Sequence, residues 1–429
     1  MYRELIAGSI RRLLRIPIHS QAIVWLSALG ALGAGLQVPT LSCAASVDYL
    51  GSSGYVVLGV PSCNSATYAQ IPGGSDLFIA RQAVLRGGQL PGRDGPKGCD
   101  SIGDGAWGLI LDQLDWNTHT LTFRKVLLDT SRDPATGHSR AVVTAGPMRG
   151  LVIRSAYDAS VVVFRGNYLV SYECVLENGK DFGVDGTSSC VSRYDRTTQS
   201  VDLGHTQVVV SGVRVNGRFY AAAVPKLLVY KDRLFVYWSS LAIESGKFVG
   251  IAVRGAELDL RDNSLYNRKT GNLLSHSIGV DESDEVWAPD PQDPLSNTEV
   301  DALALWVHSD SIIAMSSRGG QGCTAPSDTT RGCFRVSMAR SRDPLGNHVF
   351  NLAQPLLADR LPTNPQEYTQ PIMDPQGNYW LIGHYIKPSA NGLSDQRPVP
   401  DMAFWAQRPA GAAVLVMFPL TDQSVWPSG

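Results

Sequence analysis

After residue 50 the sequence has no amphipathic stretch of helical period longer than two turns, and it has no low-complexity tract. The first absence argues against a helical bundle and against the crossover helices of a parallel sheet; the second argues against a disordered linker. Charge is sparse as well: Asp, Glu, Lys and Arg make up 18% of the 429 residues, with a net charge of −2. No basic stripe interleaved with aromatics is visible, so nucleic acid is not an expected partner. No Cys/His spacing resembles a zinc site, and neither a metal nor another cofactor is expected. What remains is a chain 44% hydrophobic, with 42 Gly and 25 Pro spread along it. That composition fits one large all-β domain.

A hairpin pattern recurs along the chain: an apolar strand, a short polar turn, then a strand rich in aromatic and β-branched residues. Its copies are Ser160–Tyr172, Lys226–Trp238, Leu303–Met315 and Gln370–Gly383. The first residues after the turns, Tyr168, Leu234, Ile312 and Tyr379, are spaced by 66, 78 and 67 residues. That is the length of one four-stranded propeller blade with its loops. Arg165-Gly166-Asn167 and Pro375-Gln376-Gly377-Asn378 are the clearest turns. A weaker copy lies upstream at Thr67–Arg81, and five copies predict five blades. The apolar run Ala412–Pro419 follows the last copy and is expected to join the last blade to the N-terminal part of the mature chain.

Residues 1–45 read as a separate object. Arg3, Arg11, Arg12 and Arg15 precede the apolar run Ala22–Val38, and small residues follow at Ser42-Cys43-Ala44-Ala45. This is the order of a secretory signal peptide, the alternative being an uncleaved N-terminal membrane segment. Either places residues 46–429, the propeller domain, outside the cytoplasm. Without the first 45 residues Lys+Arg falls from 37 to 33 and Asp+Glu from 39 to 38, a net charge of −5. A weakly acidic exported domain suits neutral or small substrates. Six cysteines remain in three sequence-local couples, 63/99, 174/190 and 323/333, and the local pairing of disulfides is the expected one.

The strand before each turn should be the innermost of its blade, so its first residues should line one mouth of the central channel. There the copies offer Tyr157-Asp158-Ala159-Ser160, Ala223-Val224-Pro225-Lys226, Glu299-Val300-Asp301-Ala302 and Glu367-Tyr368-Thr369-Gln370. Carboxylates from different blades facing each other across a funnel are what glycosidic bond cleavage needs: one protonates the leaving oxygen, the other activates water or attacks.

The stretch from Tyr157 to Leu169 and the segment Pro225–Tyr230 resemble the blade-opening strands of five-bladed glycoside hydrolases, the arabinanase, β-xylosidase and invertase-like enzymes. Leu114-Asp115-Trp116-Asn117 with Leu121-Thr122-Phe123, and Ala339–Leu345, resemble their outer strands. The resemblance covers about residues 60 to 420 and implies a five-bladed β-propeller acting on carbohydrate. It also implies an Asp base on the first blade, a supporting Asp on the second and a Glu acid on the third. Asp158 matches the second by motif and order. The first copy opens on Asn64-Ser65-Ala66-Thr67 and the third on Val224-Pro225-Lys226, so both depart from the pattern, and Asp48 supplies a base only if the blades are counted differently.

The catalytic candidates are therefore Asp158, Glu299 and Asp301, and the substrate-binding candidates Tyr157, Lys226, Trp287, Asp290, Glu367 and Tyr368. Each has a plainer alternative. Asp158 could cap a turn, Glu299 and Asp301 could be solvated loop charges, and Trp287, read with Asp290 as part of a substrate-facing loop, could cover a blade edge. Lys226 could bind a substrate carboxylate or pair with a neighbouring Asp. Glu257 and His384 are expected to be structural. Two function classes follow: an exported glycoside hydrolase with a carbohydrate substrate, or a non-catalytic propeller binding glycan or protein in the cell envelope. Membrane contact is expected only through the N-terminal segment if it is uncleaved.

Overall fold

The computed structural model describes residues 56–62, 68–73, 77–85, 106–177, 187–245, 247–292, 299–319, 334–351, 354–355, 370–386 and 413–419. The N-terminal segment and the expected boundary at residue 45 lie outside them. All regular structure among the described residues is β-strand. No helix there is long and apolar enough to cross a membrane.

The strands fall into five antiparallel meanders. The first blade is β1's successor in the chain: β1 (Val56–Ser62) is followed by β2 (Tyr68–Ile71), β3 (Leu77–Leu85), β4 (Ala106–Asp115) and β5 (Thr120–Leu128), of which β2 to β5 pair in order. The second consists of β6 (Ile153–Phe164), β7 (Asn167–Leu176), β8 (Thr187–Asp195) and β9 (Ser200–Ser211). Two short strands, β10 (Val213–Val215) and β11 (Arg218–Tyr220), lead to the third blade, β12 (Ala223–Tyr230), β13 (Arg233–Glu244) and β14 (Lys247–Arg261). Its fourth strand is split: β15 (Ser264–Asn267) and β17 (Asp284–Trp287) both pair with β14, while β16 (Ser275–His276) between them joins β9. The fourth blade is β18 (Glu299–His308), β19 (Ser311–Gly319), β20 (Phe334–Ser341) and β21 (Gln354–Pro355). The fifth takes β22 (Gln370–Met373), β23 (Tyr379–Ile386) and β24 (Ala413–Pro419), and β1 completes it by pairing with β24.

The first strand of each meander packs against its counterparts on both sides, β2 on β6, β6 on β12, β12 on β18, β18 on β22 and β22 on β2. This closed ring makes the chain a five-bladed β-propeller. The C-terminal apolar run closes it as expected. Gln70 of β2 reinforces the seam: its Nε2 donates to the Met373 carbonyl at 2.9 Å and its Oε1 accepts from the Met373 N–H at 2.8 Å.

The turns explain why the hairpins form where they do. Arg165 and Gly166 have φ of 48° and 75°, and Lys231 and Asp232 have φ of 50° and 57°. Two left-handed residues in a two-residue loop give the turn whose twist matches that of the paired strands. The core sits between sheets: one apolar cluster joins the first and second blades, another the second and third, others the third and fourth, and the first and fifth. Trp238 and Trp287 are fully buried in these wedges, each large apolar side chain contributing about 1.5–3 kcal/mol by its burial. The outer-strand motifs do the docking. Trp116, just after β4, meets Trp380 of the fifth blade edge-on at 5.3 Å, and Tyr237 OH donates to the Pro344 carbonyl at 2.7 Å, tying the third blade to the fourth.

One expected disulfide is present, Cys174–Cys190, with a Cα–Cα distance of 5.8 Å. It links neighbouring strands β7 and β8 inside the second blade and is fully buried. The couples 63/99 and 323/333 lie outside the described residues.

Candidate functional site

Three inner strands carry the same irregularity. In β6 the pairing with β7 slips between Tyr157 and Ser160, in β12 the pairing with β13 slips between Ala223 and Lys226, and in β18 the pairing with β19 slips between Asp301 and Ala304. Each slip lies at the same distance from its turn, since Phe164, Tyr230 and His308 are the last paired residues of the three strands. A bulge of this kind bends the strand and re-aims its side chains. Asp158 and Val224 occupy equivalent positions in two of them and share a left-handed backbone, with φ of 57° and 49°. Such a conformation costs a non-glycine residue free energy and persists only where the surroundings hold it.

The surroundings are polar and cross from blade to blade. Asp158 is 5% exposed. Lys226, at 2% exposure, directs Nζ to the carbonyls of Asp158 at 3.3 Å and Ala159 at 3.4 Å. In return the second blade holds the bulge of β12. Glu173 Oε2 accepts the N–H of Val224 at 3.0 Å, Ser171 Oγ donates to the Pro225 carbonyl at 3.2 Å, and Ser160 Oγ accepts the Leu227 N–H at 3.3 Å. Tyr157 is half-buried, with its ring 6.0 Å from that of Trp107. Burial pushes its phenol up to about 12; the carboxylates of Glu173 and Asp158 add to the rise, while a hydrogen bond with Ser155 opposes it. The phenol is thus a fixed hydrogen-bond donor at neutral pH beside two carboxylates. A carboxylate and a phenol donor side by side form a pair that can accept from one sugar hydroxyl and donate to another.

The candidates read from sequence are placed unevenly. Tyr157, Asp158 and Lys226 come together. Asp301 occupies the register position of Tyr157 and Ala223, so the fourth copy aligns two residues later than expected and Glu299 lies further out, opposite Gly319 and beside Ile251 of β14. The side chains of Glu299 and Asp301 lie outside the described residues, as do Glu367, Tyr368 and Asp48 altogether. The loop expected around Trp287 is corrected: Glu285-Val286-Trp287 continues β17 on the third blade, and the indole is fully buried 5.9 Å from the ring of Phe350. Asp290 beyond it accepts the Gln292 N–H at 2.9 Å, closing a local turn. Glu257 is held by Arg233 at 2.6 Å and Arg268 at 3.3 Å at the turn end of the third blade. No cluster of three metal-ligating side chains occurs among the described residues.

Glu173 and Trp107 were not foreseen. Glu173 is the cross-strand partner of Tyr157, but counting evenly from the Arg165-Gly166 turn leads to Cys174 instead, because the bulge between Tyr157 and Ser160 shifts the pairing by one residue. Trp107 arrives from the third strand of the first blade, which no local pattern signals.

No protein-family model matches the sequence, and no curated protein matches it. Among solved structures, a GH43_1 enzyme from Xanthomonas citri complexed with xylose is 14% identical, with a TM-score of 0.46 over 85% of this chain and 89% of that one. An exo-1,5-alpha-L-arabinanase from a bovine ruminal metagenomic library is 11% identical, with a TM-score of 0.47 over 85% and 98%. An alpha-L-arabinofuranosidase from Lactobacillus brevis is 9% identical, with a TM-score of 0.48 over 84% and 92%. The five-bladed ring is formed by this chain's own inner strands.

Proposed function

We propose that the chain is an exported, glycan-acting propeller that cleaves glycosidic bonds at the mouth where the three bulges stand. The observation that carries this reading is Asp158, a buried carboxylate held in a left-handed bulge on the second inner strand, next to a phenol donor and a second carboxylate. In this reading Asp158 is the base or the orienting carboxylate. Glu299 is the acid, with Asp301 in support, and Tyr157 stands with Asp290, Glu367 and Tyr368 on the substrate side, while Lys226 holds the Asp158 bulge. Export is supported by the order of residues 1–45 and by the buried Cys174–Cys190 bridge, a bond that persists in oxidising compartments. The test is a screen of the secreted protein against polysaccharides and aryl glycosides, followed by Asp158→Asn and Glu299→Gln. General acid–base catalysis contributes on the order of 10²–10⁴-fold, so each change should cut turnover by at least that factor with the fold intact. Equal turnover in all three proteins would remove these residues from the chemistry.

A second reading is favoured by the register itself. The position of Asp158 is taken by Val224 in the third blade and by Ala302 in the fourth, so the bulges do not repeat a carboxylate around the ring. A propeller that binds glycan without cutting it needs only the donor and acceptor groups. Measurable glycan affinity in a wild type that turns over nothing in the screen would select it.

A further inference from the structure

The end of the propeller that carries the hairpin turns has a hollow of its own. It lies on the second blade, has a volume of about 250 Å³, and is lined by Asn167, Tyr168, Arg193, Tyr194, Asp195 and Arg196. Tyr168 pairs with Val163, five residues along β6 from Asp158, which puts the hollow roughly 16 Å from the mouth at about 3.3 Å per strand residue. It is a separate place.

Both guanidinium groups are fixed before any ligand arrives. Arg196 lies over the Tyr168 ring at 5.3 Å, donates from Nη1 to the Tyr168 hydroxyl at 2.9 Å, and reaches the Gly73 carbonyl of the first blade at 3.3 Å. Arg193 donates from Nη2 to Asn263 Oδ1 of the third blade at 2.8 Å. Its Nε is buried and has no hydrogen-bond partner among the described residues. A buried donor of this kind is costly until an acceptor reaches it. The Tyr168 and Tyr194 rings meet edge-on at 6.2 Å and form an apolar wall. Asp195 adds an acceptor beside them.

We propose that this hollow is a second glycan-binding site, which takes one uronic acid residue of an acidic polysaccharide. Two arginines stand against one aspartate in the lining, and Asp202 on β9 faces Arg193 from outside it; the guanidinium forks, rather than a net charge, suit a single carboxylate. Arg193 offers Nε to an oxygen, the tyrosine edges form the apolar side, and Asp195 receives hydroxyls while disfavouring a dianion such as phosphate. The volume suits one sugar ring; it is below that of pockets for larger ligands. Turnover at the mouth is not required.

The test is calorimetric titration of the full chain with trigalacturonate, with its neutral methyl ester and with inorganic phosphate. Trigalacturonate should bind, the ester at least tenfold more weakly, and phosphate should not displace the sugar. Arg193→Gln should weaken trigalacturonate binding at least tenfold, and Asp158→Asn should leave it unchanged. Arg193→Lys keeps the charge and removes the fork, so it should weaken binding with an unchanged Tm. This variant, together with ligand-induced shifts in the tyrosine ring signals, decides the matter if Arg193→Gln misfolds. No heat with trigalacturonate, equal affinity for the ester, binding of phosphate alone, or an unchanged Kd in a folded Arg193 variant would overturn the proposal. Loss of binding in Asp158→Asn instead would place the sugar at the mouth, overturning this site while sparing the proposed function.

Discussion

The ammonium group of Lys226 lies 3.3 Å from the backbone carbonyl of Asp158, so a cation of the third blade grips the strained bulge of the second. Lys226 was expected to bind a substrate carboxylate or pair with a neighbouring Asp; its ammonium reaches the main-chain carbonyls of Asp158 and Ala159. A hydrogen bond to a charged group contributes about 1.5–3 kcal/mol net. Lys226→Met, which keeps the length and removes the donor, should therefore lower stability by about 2 kcal/mol or more. Denaturant unfolding of both proteins measures it, and an unchanged midpoint and slope would show that the bulge holds itself.

Gly255 gives a prediction about packing. A Cβ there would stand 2.8 Å from Tyr237 Cδ1 and 3.0 Å from Leu345 Cδ2, and Tyr237 is fully buried. Overpacking of this kind costs about 1–3 kcal/mol. Gly255→Ala should lower the unfolding midpoint accordingly, with the chain still folded.

The buried bridge Cys174–Cys190 closes a sequence separation of 16 residues. Replacing both cysteines by alanine should cost about 2–4 kcal/mol. Mass mapping of native and reduced peptides should also find the pairs 63–99 and 323–333, and free thiols at those positions would refute that pairing.

Acid sensitivity should arise partly at two aspartates. Burial alone would raise the Asp374 carboxyl, but hydrogen bonds from the Asn378 side chain and backbone, Trp380 and the Gln376 N–H outweigh it and hold it low. Asp202 is held low chiefly by its hydrogen bond to His205 at 2.5 Å. Both titrate below the unfolded value of about 3.9. Their contribution is fully present above that value and is lost as pH falls through the folded one. Asp374→Asn should be less stable at neutral pH and show a shallower acid limb, which unfolding midpoints between pH 7 and pH 2 will read.

Truncation before Gly411 removes β24 and leaves β1 and β23 without the strand between them. Unpaired sheet edges invite association. The truncated chain should be insoluble or lack a cooperative transition; an unaltered transition would refute the closure.

The architecture was legible because each hairpin declares itself locally, through alternation and turns such as Arg165-Gly166, and because the copies return at blade spacing. Asp158 and Tyr157 were legible for the same reason. The fourth copy was read two residues out of register although its bulge stands where the others do: counted back seven residues from the last paired residue of the strand, Asp301, not Glu299, corresponds to Tyr157. Trp287 was misplaced because Glu285-Val286-Trp287 is too short a strand to show alternation, and its burial depends on Phe350, 63 residues away. Trp107 depends on contact between blades, which no single repeat contains.

The seam between β1 and β24 also sets an order of events during synthesis. The strand made first among those described pairs with the strand made last, Val56 opposite Met417. On the ribosome β1 must wait while more than 300 residues emerge, and the first four meanders can form before it finds its partner. Long-range pairing of this kind slows folding and exposes strand edges in the interval. A chain halted before residue 413 should therefore be recognised by chaperones and proteases as unfinished, even with four of its blades already built.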